Sequence, residues 1–96
     1  MMFDQAKMVM QVRKLQKQLA KQIIEVSAGD GAVVVKITGE QKIKKIEIDP
    51  EMVNLDNISQ LEEWIEAAVK DAINKSQQVA AEKMRPFMGS LGKLGL

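Results

Sequence analysis

The sequence predicts an α+β fold, with a first amphipathic helix, three short antiparallel strands and a long C-terminal helix. Three observations carry this. Apolar residues recur every three or four positions from Asp4 to about residue 24. Three runs rich in β-branched residues follow, with only short glycine-containing turns between them, and a second helical period occupies residues 57–85. At 96 residues the chain allows one domain and hardly two. We expect a single domain over residues 1–88 and a flexible glycine-containing tail over 89–96.

In the first helix Met8, Val12, Leu15, Leu19 and Ile23 fall within an arc of roughly 80° when each residue is placed about 100° on from the last. Asp4 stands at its start, where a carboxylate caps free N–H groups and complements the helix dipole. The stripe is narrow, closer to a coiled-coil seam than to the broad face of a helix lying on a large core.

The strands are expected over Ile24–Ala28, Ala32–Thr38 and Lys42–Ile48, separated by Gly29-Asp30-Gly31 and Gly39-Glu40. Turns this short join antiparallel neighbours, because a parallel crossover needs a dozen or more residues. Simple alternation puts Val33, Val35 and Ile37 on one face and Val34 on the other. By the same rule Ile46 and Ile48 share a face that Ile43 does not. Apolar residues on both faces predict a sheet covered twice, once by its own helices and once by something else.

Asp49-Pro50 ends the sheet, since Pro cannot donate to a ladder, and Pro50–Leu55 suits a short helical turn. The long helix is expected from about Asn57 to Arg85, with Asn57 or Ser59 as N-cap and Pro86 and Gly89 as stops. Its apolar residues, among them Leu61, Trp64, Ile65, Ala68, Ala72 and Ile73, cover about half its circumference. About 29 residues at 1.5 Å each make a rod of roughly 43 Å, longer than the ~30 Å diameter of a compact domain of this size. The helix therefore overhangs its own body, and its distal Val79, Ala80 and Met84 need a partner. With the narrow seam of the first helix and the spare sheet face, this predicts a homodimer with projecting helices. Val34, Ile43, Val79 and Met84 are the candidate interface residues.

Composition removes most chemistry. Without His or Cys there is no thiolate, no imidazole metal ligand and no Ser–His or Cys–His nucleophile pair. No catalytic constellation is found and no cofactor or metal is expected; Asp49, Glu51 and Asp56 fit no cation loop and suit a solvated acidic turn. With three aromatic residues the chain lacks a ring ladder for single-stranded bases. The methionines read as adaptable packing or interface material. No sorting signal and no apolar run of about 20 residues is present, so a cytoplasmic protein with no membrane partner is the expectation.

The net charge of +1 conceals three unlike blocks. Residues 1–45 carry nine basic and four acidic groups, residues 46–69 seven acidic and no basic, and residues 70–96 five basic and two acidic. On the first helix Lys7, Arg13, Lys14, Lys17 and Lys21 fall within about 120°, centred opposite the apolar stripe. Cations opposite an apolar stripe are what any soluble amphipathic helix shows. Surface helices usually mix signs to gain i,i+4 pairs, however, and here no acid lies between Gln5 and Ile24. Such a ridge can hold polyanions through phosphates without reading bases. Lys75, Lys83 and Arg85 do not share one face of the long helix, and Lys83 and Arg85 also complement its dipole.

The order of segments resembles the YbaB/EbfC family of bacterial nucleoid-associated proteins. The resemblance rests on the Gln/Lys/Met-rich first helix, the hairpin from Val26-Ser27-Ala28-Gly29-Asp30-Gly31 to Val35-Lys36-Ile37-Thr38-Gly39, and Ile46-Glu47-Ile48-Asp49-Pro50. Leu61-Glu62-Glu63-Trp64-Ile65-Glu66-Ala67-Ala68 matches the style of the family's long helix. It implies an α-β-β-β-α protomer, a homodimer with arm-like helices, and binding of double-stranded DNA with limited sequence preference in the nucleoid. By that resemblance Arg13, Lys14, Lys17, Lys21, Lys75, Lys83 and Arg85 are the candidate DNA contacts. No small-molecule substrate is implied. The alternative function is a non-enzymatic protein–protein adaptor that uses the projecting apolar helices.

Overall fold

The computed structural model describes the backbone of residues 2–93 and the side chains of residues 6–86. Its elements run α1 (Met2–Lys21), β1 (Ile23–Ala28), β2 (Val33–Thr38), β3 (Ile43–Ile48), a 3-10 turn (Pro50–Met52) and α2 (Ile58–Lys93). This is the expected α-β-β-β-α order. The three strands form one antiparallel sheet in the order β1-β2-β3.

The core forms where β-branched residues of the sheet meet the small-residue face of α2. Val26, Val33, Val35, Ile37, Ala68 and Ala72 are buried together, with Leu61, Trp64, Ile65, Val69 and Ile73 packed around them. Each fully buried Val or Ile contributes about 1.5–3 kcal/mol in transfer terms. Alanines at 68 and 72 let the helix approach closely, and α2 packs on β1 and β2. Gly29 stands in the left-handed region at φ 63°, with the Trp64 indole lying directly against it. Trp64 is thus a core anchor over a turn.

α1 ends sooner than its stripe predicts. Ile23 belongs to β1 and is 53% exposed, so the seam is carried by Leu15 and Leu19. The stop has a tertiary cause. The Gly39 N–H reaches across from the β2–β3 turn and donates to the carbonyls of Leu19, at 2.9 Å, and Gln22, at 3.1 Å. Both lie at the helix end, where carbonyls lack their full set of helical partners; the Leu19 carbonyl also accepts from the Gln22 N–H at 3.3 Å. The Leu19 side chain packs so close to Gly39 that a Cβ there would meet it at 2.8 Å.

α2 is longer than expected. It passes through Pro86 and Gly89 and continues to Lys93, whereas both residues were expected to stop it. Pro86 removes one N–H that would donate to the carbonyl four residues earlier. Pro86 and Glu82 are both exposed, so water can satisfy that carbonyl and the helix continues. Residues 89–93 of the expected tail are thus helical, and residues 94–96 lie outside the described residues. The overhang itself is present: the molecule extends 64 × 22 × 14 Å, with a radius of gyration of 18.4 Å. A compact chain of this length has about 12–13 Å.

The faces of β3 differ from simple alternation. Val33 pairs with Ile48 and Val35 with Ile46, but Ile37 pairs with Ile43 across a register shift that leaves Lys44 as the extra residue. The bulge rotates Ile43 onto the same face as Ile46 and Ile48, correcting the expectation that it faces the other way. That face is the one α2 covers on β1 and β2. The opposite face is mostly polar: Glu25, Lys36 and Lys45 lie in register across the three strands, with Glu47 beside them. The Lys36 ammonium donates to the Glu47 carboxylate at 3.0 Å, and Lys45 stands 3.5 Å from the same oxygen. The apolar surface left open lies beside α2, at the edge strand, rather than behind the sheet.

Candidate nucleic-acid interface

The basic ridge of α1 is a consequence of how that helix is seated. Leu15 and Leu19 turn inward, 6% and 7% exposed, while Met8 and Val12 are half-buried. The opposite side carries Lys7, Arg13, Lys14, Lys17 and Lys21, all exposed. Among the described residues none of these five has a carboxylate within ion-pair distance; the described ion pairs involve Lys36, Lys42, Lys45, Lys70 and Lys75. Lys21 occupies the last turn, where it also complements the helix dipole.

The structure sorts the expected cations of α2. Lys83 lines a shallow groove of about 360 Å³ with Gln11, Lys14, Leu15 and Gln18, so it lies beside the first-helix ridge. Sequence spacing alone gave no reason to join Lys83 to Lys14. Lys75 stands 3.4 Å from Asp71 one turn earlier, which occupies its charge locally. Arg85 is exposed, and stands about 200° around α2 from Lys83.

The candidate contact residues between copies are also separated. Ile43 is 44% exposed in a row with Ile46 and Ile48, each 42% exposed. Met52 and Ile58, at 38% and 43%, add to the exposed apolar surface of the body. Val34 is half-buried on the polar face, next to Ser27 and Glu47 in register. Val79 and Met84 are half-buried on the part of α2 that flanks α1.

Two residues that position the ridge were not found from sequence. Thr38, 1% exposed, accepts from the N–H groups of Glu40 and Lys42 through its hydroxyl oxygen, at 3.2 Å each. Its carbonyl accepts from the buried Ser76 hydroxyl at 2.8 Å. The end of β2 is therefore tied to α2 through Ser76 and, one residue on, to α1 through Gly39. The signal was present, because Ser76 continues the apolar spacing of Ala68, Ala72 and Ile73. Asp49, set aside above as a turn residue, accepts from the Glu51 N–H at 3.0 Å and caps the 3-10 turn. Among the described residues no group of three or more acidic side chains is placed to hold a metal ion.

With this geometry in place, comparison with known proteins decides the family. Residues 1–91 match the model of the YbaB/EbfC DNA-binding family. The chain belongs to that family. A nucleoid-associated protein of Chloroflexus aurantiacus is 41% identical over 81 residues, covering 84% of this chain and 81% of that one. A protein of the same description from Ruminiclostridium cellulolyticum is 39% identical over 88 residues, covering 92% and 76%. A solved structure of an uncharacterised Helicobacter pylori protein superposes with a TM-score of 0.78 at 16% identity, covering 86% of this chain and 87% of that one. At that identity the likeness speaks for the fold alone, which this YbaB/EbfC family member shares.

Proposed function

We propose that the protein binds double-stranded DNA as a homodimer, holding it mainly through phosphate contacts from α1, with limited sequence specificity. The reading places it on the nucleoid. The carrying observation is the row of exposed cations on α1, with no carboxylate partner among the described residues and with Lys83 of α2 at its flank. Cations without an internal partner are free to neutralise backbone phosphates, and release of the counterions condensed on the DNA supplies the affinity. Membership of a DNA-binding family and the names of the relatives support the same reading. The homodimer is supported by β3, an edge strand that carries Ile43, Ile46 and Ile48 exposed in one row. A second copy would bury this surface and close the unpaired strand edge. Two copies would present ten cations from two α1 helices.

The test is a salt titration of binding to several unrelated duplexes. Log affinity is expected to fall linearly with log salt, with a slope of about −0.9 per phosphate neutralised and little difference among sequences. Absence of duplex binding in low salt would overturn the DNA reading and leave the apolar surfaces to a protein partner.

A further inference from the structure

Met10 lies outside the inward-facing apolar stripe of α1. It is 70% exposed, far more than Leu15 or Leu19, and takes no part in the core. With each residue about 100° on, Met10 falls midway between Arg13 and Lys14, at the middle of the basic arc. Met10, Arg13, Lys14 and Lys17 are spaced i, i+3, i+4 and i+7, which makes them mutual neighbours on one helix face. They surround a shallow recess of about 300 Å³. The surface that would meet phosphates thus has one apolar side chain at its middle and cations on both flanks.

We infer that Met10 is a groove-reading residue that contacts the C5-methyl groups of thymine when α1 lies in the major groove. The inference rests on the DNA reading above. The B-DNA major groove, about 12 Å wide, admits an α-helix. A helix seated there aims its flanking cations, Arg13 and Lys14, at the phosphate walls and its central line at the base edges. On that central line the thymine methyl is the apolar group that the major groove offers. A thioether side chain is unbranched and polarisable, so it adapts to methyl groups at slightly different positions. The consequence is a bias toward thymine within otherwise phosphate-dominated binding.

The experiment measures affinity for an alternating A·T duplex and for the same duplex with deoxyuridine replacing every thymidine, which deletes only the methyl groups. The wild-type protein is expected to bind the thymine duplex about fourfold tighter, the factor that burying one methyl-sized group gives. Met10→Gln keeps side-chain length and helix propensity. It is expected to bring the ratio to one while preserving the salt slope on a mixed-sequence duplex. A wild-type ratio of one, or a ratio that Met10→Gln leaves unchanged, would overturn the inference while the DNA reading stands. A changed particle mass for Met10→Gln in light scattering would assign Met10 to a contact between copies, and the inference would fall. If the wild-type protein binds neither duplex in low salt, the DNA reading itself fails, and this inference with it.

Discussion

The buried hydroxyl of Ser76 donates to the carbonyl oxygen of Thr38 at 2.8 Å, joining the middle of α2 to the last residue of β2. No described buried side-chain polar atom lacks a partner, so this bond completes a satisfied polar knot inside an apolar interface. Ser76→Ala removes this buried bond, although the Thr38 carbonyl keeps the one it accepts from the Gln41 N–H at 3.0 Å. The expected cost is that of one net hydrogen bond, about 0.5–1.5 kcal/mol, read as a lower urea midpoint with an unchanged slope. An unchanged midpoint would mean that the knot is not structural.

Gly29 has no room for a side chain. Its φ is 63°, and the Trp64 indole fills the place where a Cβ would stand. Gly29→Ala is expected to cost at least about 1–2 kcal/mol from the backbone conformation alone, and more from displacing the ring. Near-ultraviolet circular dichroism would report the displaced indole alongside the loss in thermal stability. Gly31→Ala, at φ 94° but with open space around it, isolates the backbone part of the effect.

Charge reversal at Lys14, Lys17 and Lys21 to Glu should abolish duplex binding at physiological salt while circular dichroism and particle mass stay unchanged. All three side chains are exposed and none has an ion-pair partner among the described residues. The α2 cations separate in the same assay. Lys83→Gln is expected to lower the salt slope by about one per copy, whereas Lys75→Gln, already occupied by Asp71, should change it little. Equal effects would remove the distinction between the two positions.

Ile46→Lys places a charge in the centre of the exposed row on β3, whose apolar neighbours are Ile43 and Ile48. Because Ile46 is 42% exposed in the protomer, the fold should survive. Light scattering at micromolar concentration is expected to shift from dimer mass to monomer mass. A dimer that persists would place the contact between copies elsewhere.

The polar face of the sheet gives a pH signature. The side-chain hydrogen bond from Lys36, with its charge and that of Lys45, holds the Glu47 carboxyl below the ordinary carboxylate value. A depressed folded-state value contributes stability above the unfolded value and loses it as pH falls through the folded one. The same hydrogen bond raises Lys36, so that its share is present below the ordinary lysine value and is lost as pH rises through the folded one. These groups are solvent-screened, so the expected signature is a low-lying Glu47 midpoint in a carboxyl NMR titration. Lys36→Met should return that midpoint upward.

Much of the fold was legible because periodicity and turn chemistry agreed. Gly29-Asp30-Gly31 fixed the first hairpin, and Val33, Val35 and Ile37 fixed its buried face. Ile43 was misread because one extra residue, Lys44, breaks the two-residue alternation, and nothing in Lys44-Lys45 distinguishes a bulge from a regular strand. Ile23 was misread because its helical spacing continues that of Leu19, while the contact that ends α1 comes from Gly39, sixteen residues on. Pro86 was read by its helix-breaking tendency, which solvent exposure blunts. At the candidate interface the ridge on α1 was visible, since one helix carries it. Its continuation to Lys83 was not, because that depends on how α1 and α2 lie side by side.

The attachment of α1 has a mechanical consequence. Its C-terminal end is clamped at Leu19 and Gln22 by the Gly39 amide, whereas the cations from Lys7 to Lys17 are spread over about 15 Å of helix on the N-terminal side of that clamp. A load applied to this cantilever generates its greatest torque at the β2–β3 turn. On the proposed DNA reading, the stiffness of the grip is then set by a four-residue turn, residues 39–42, that need never touch the duplex.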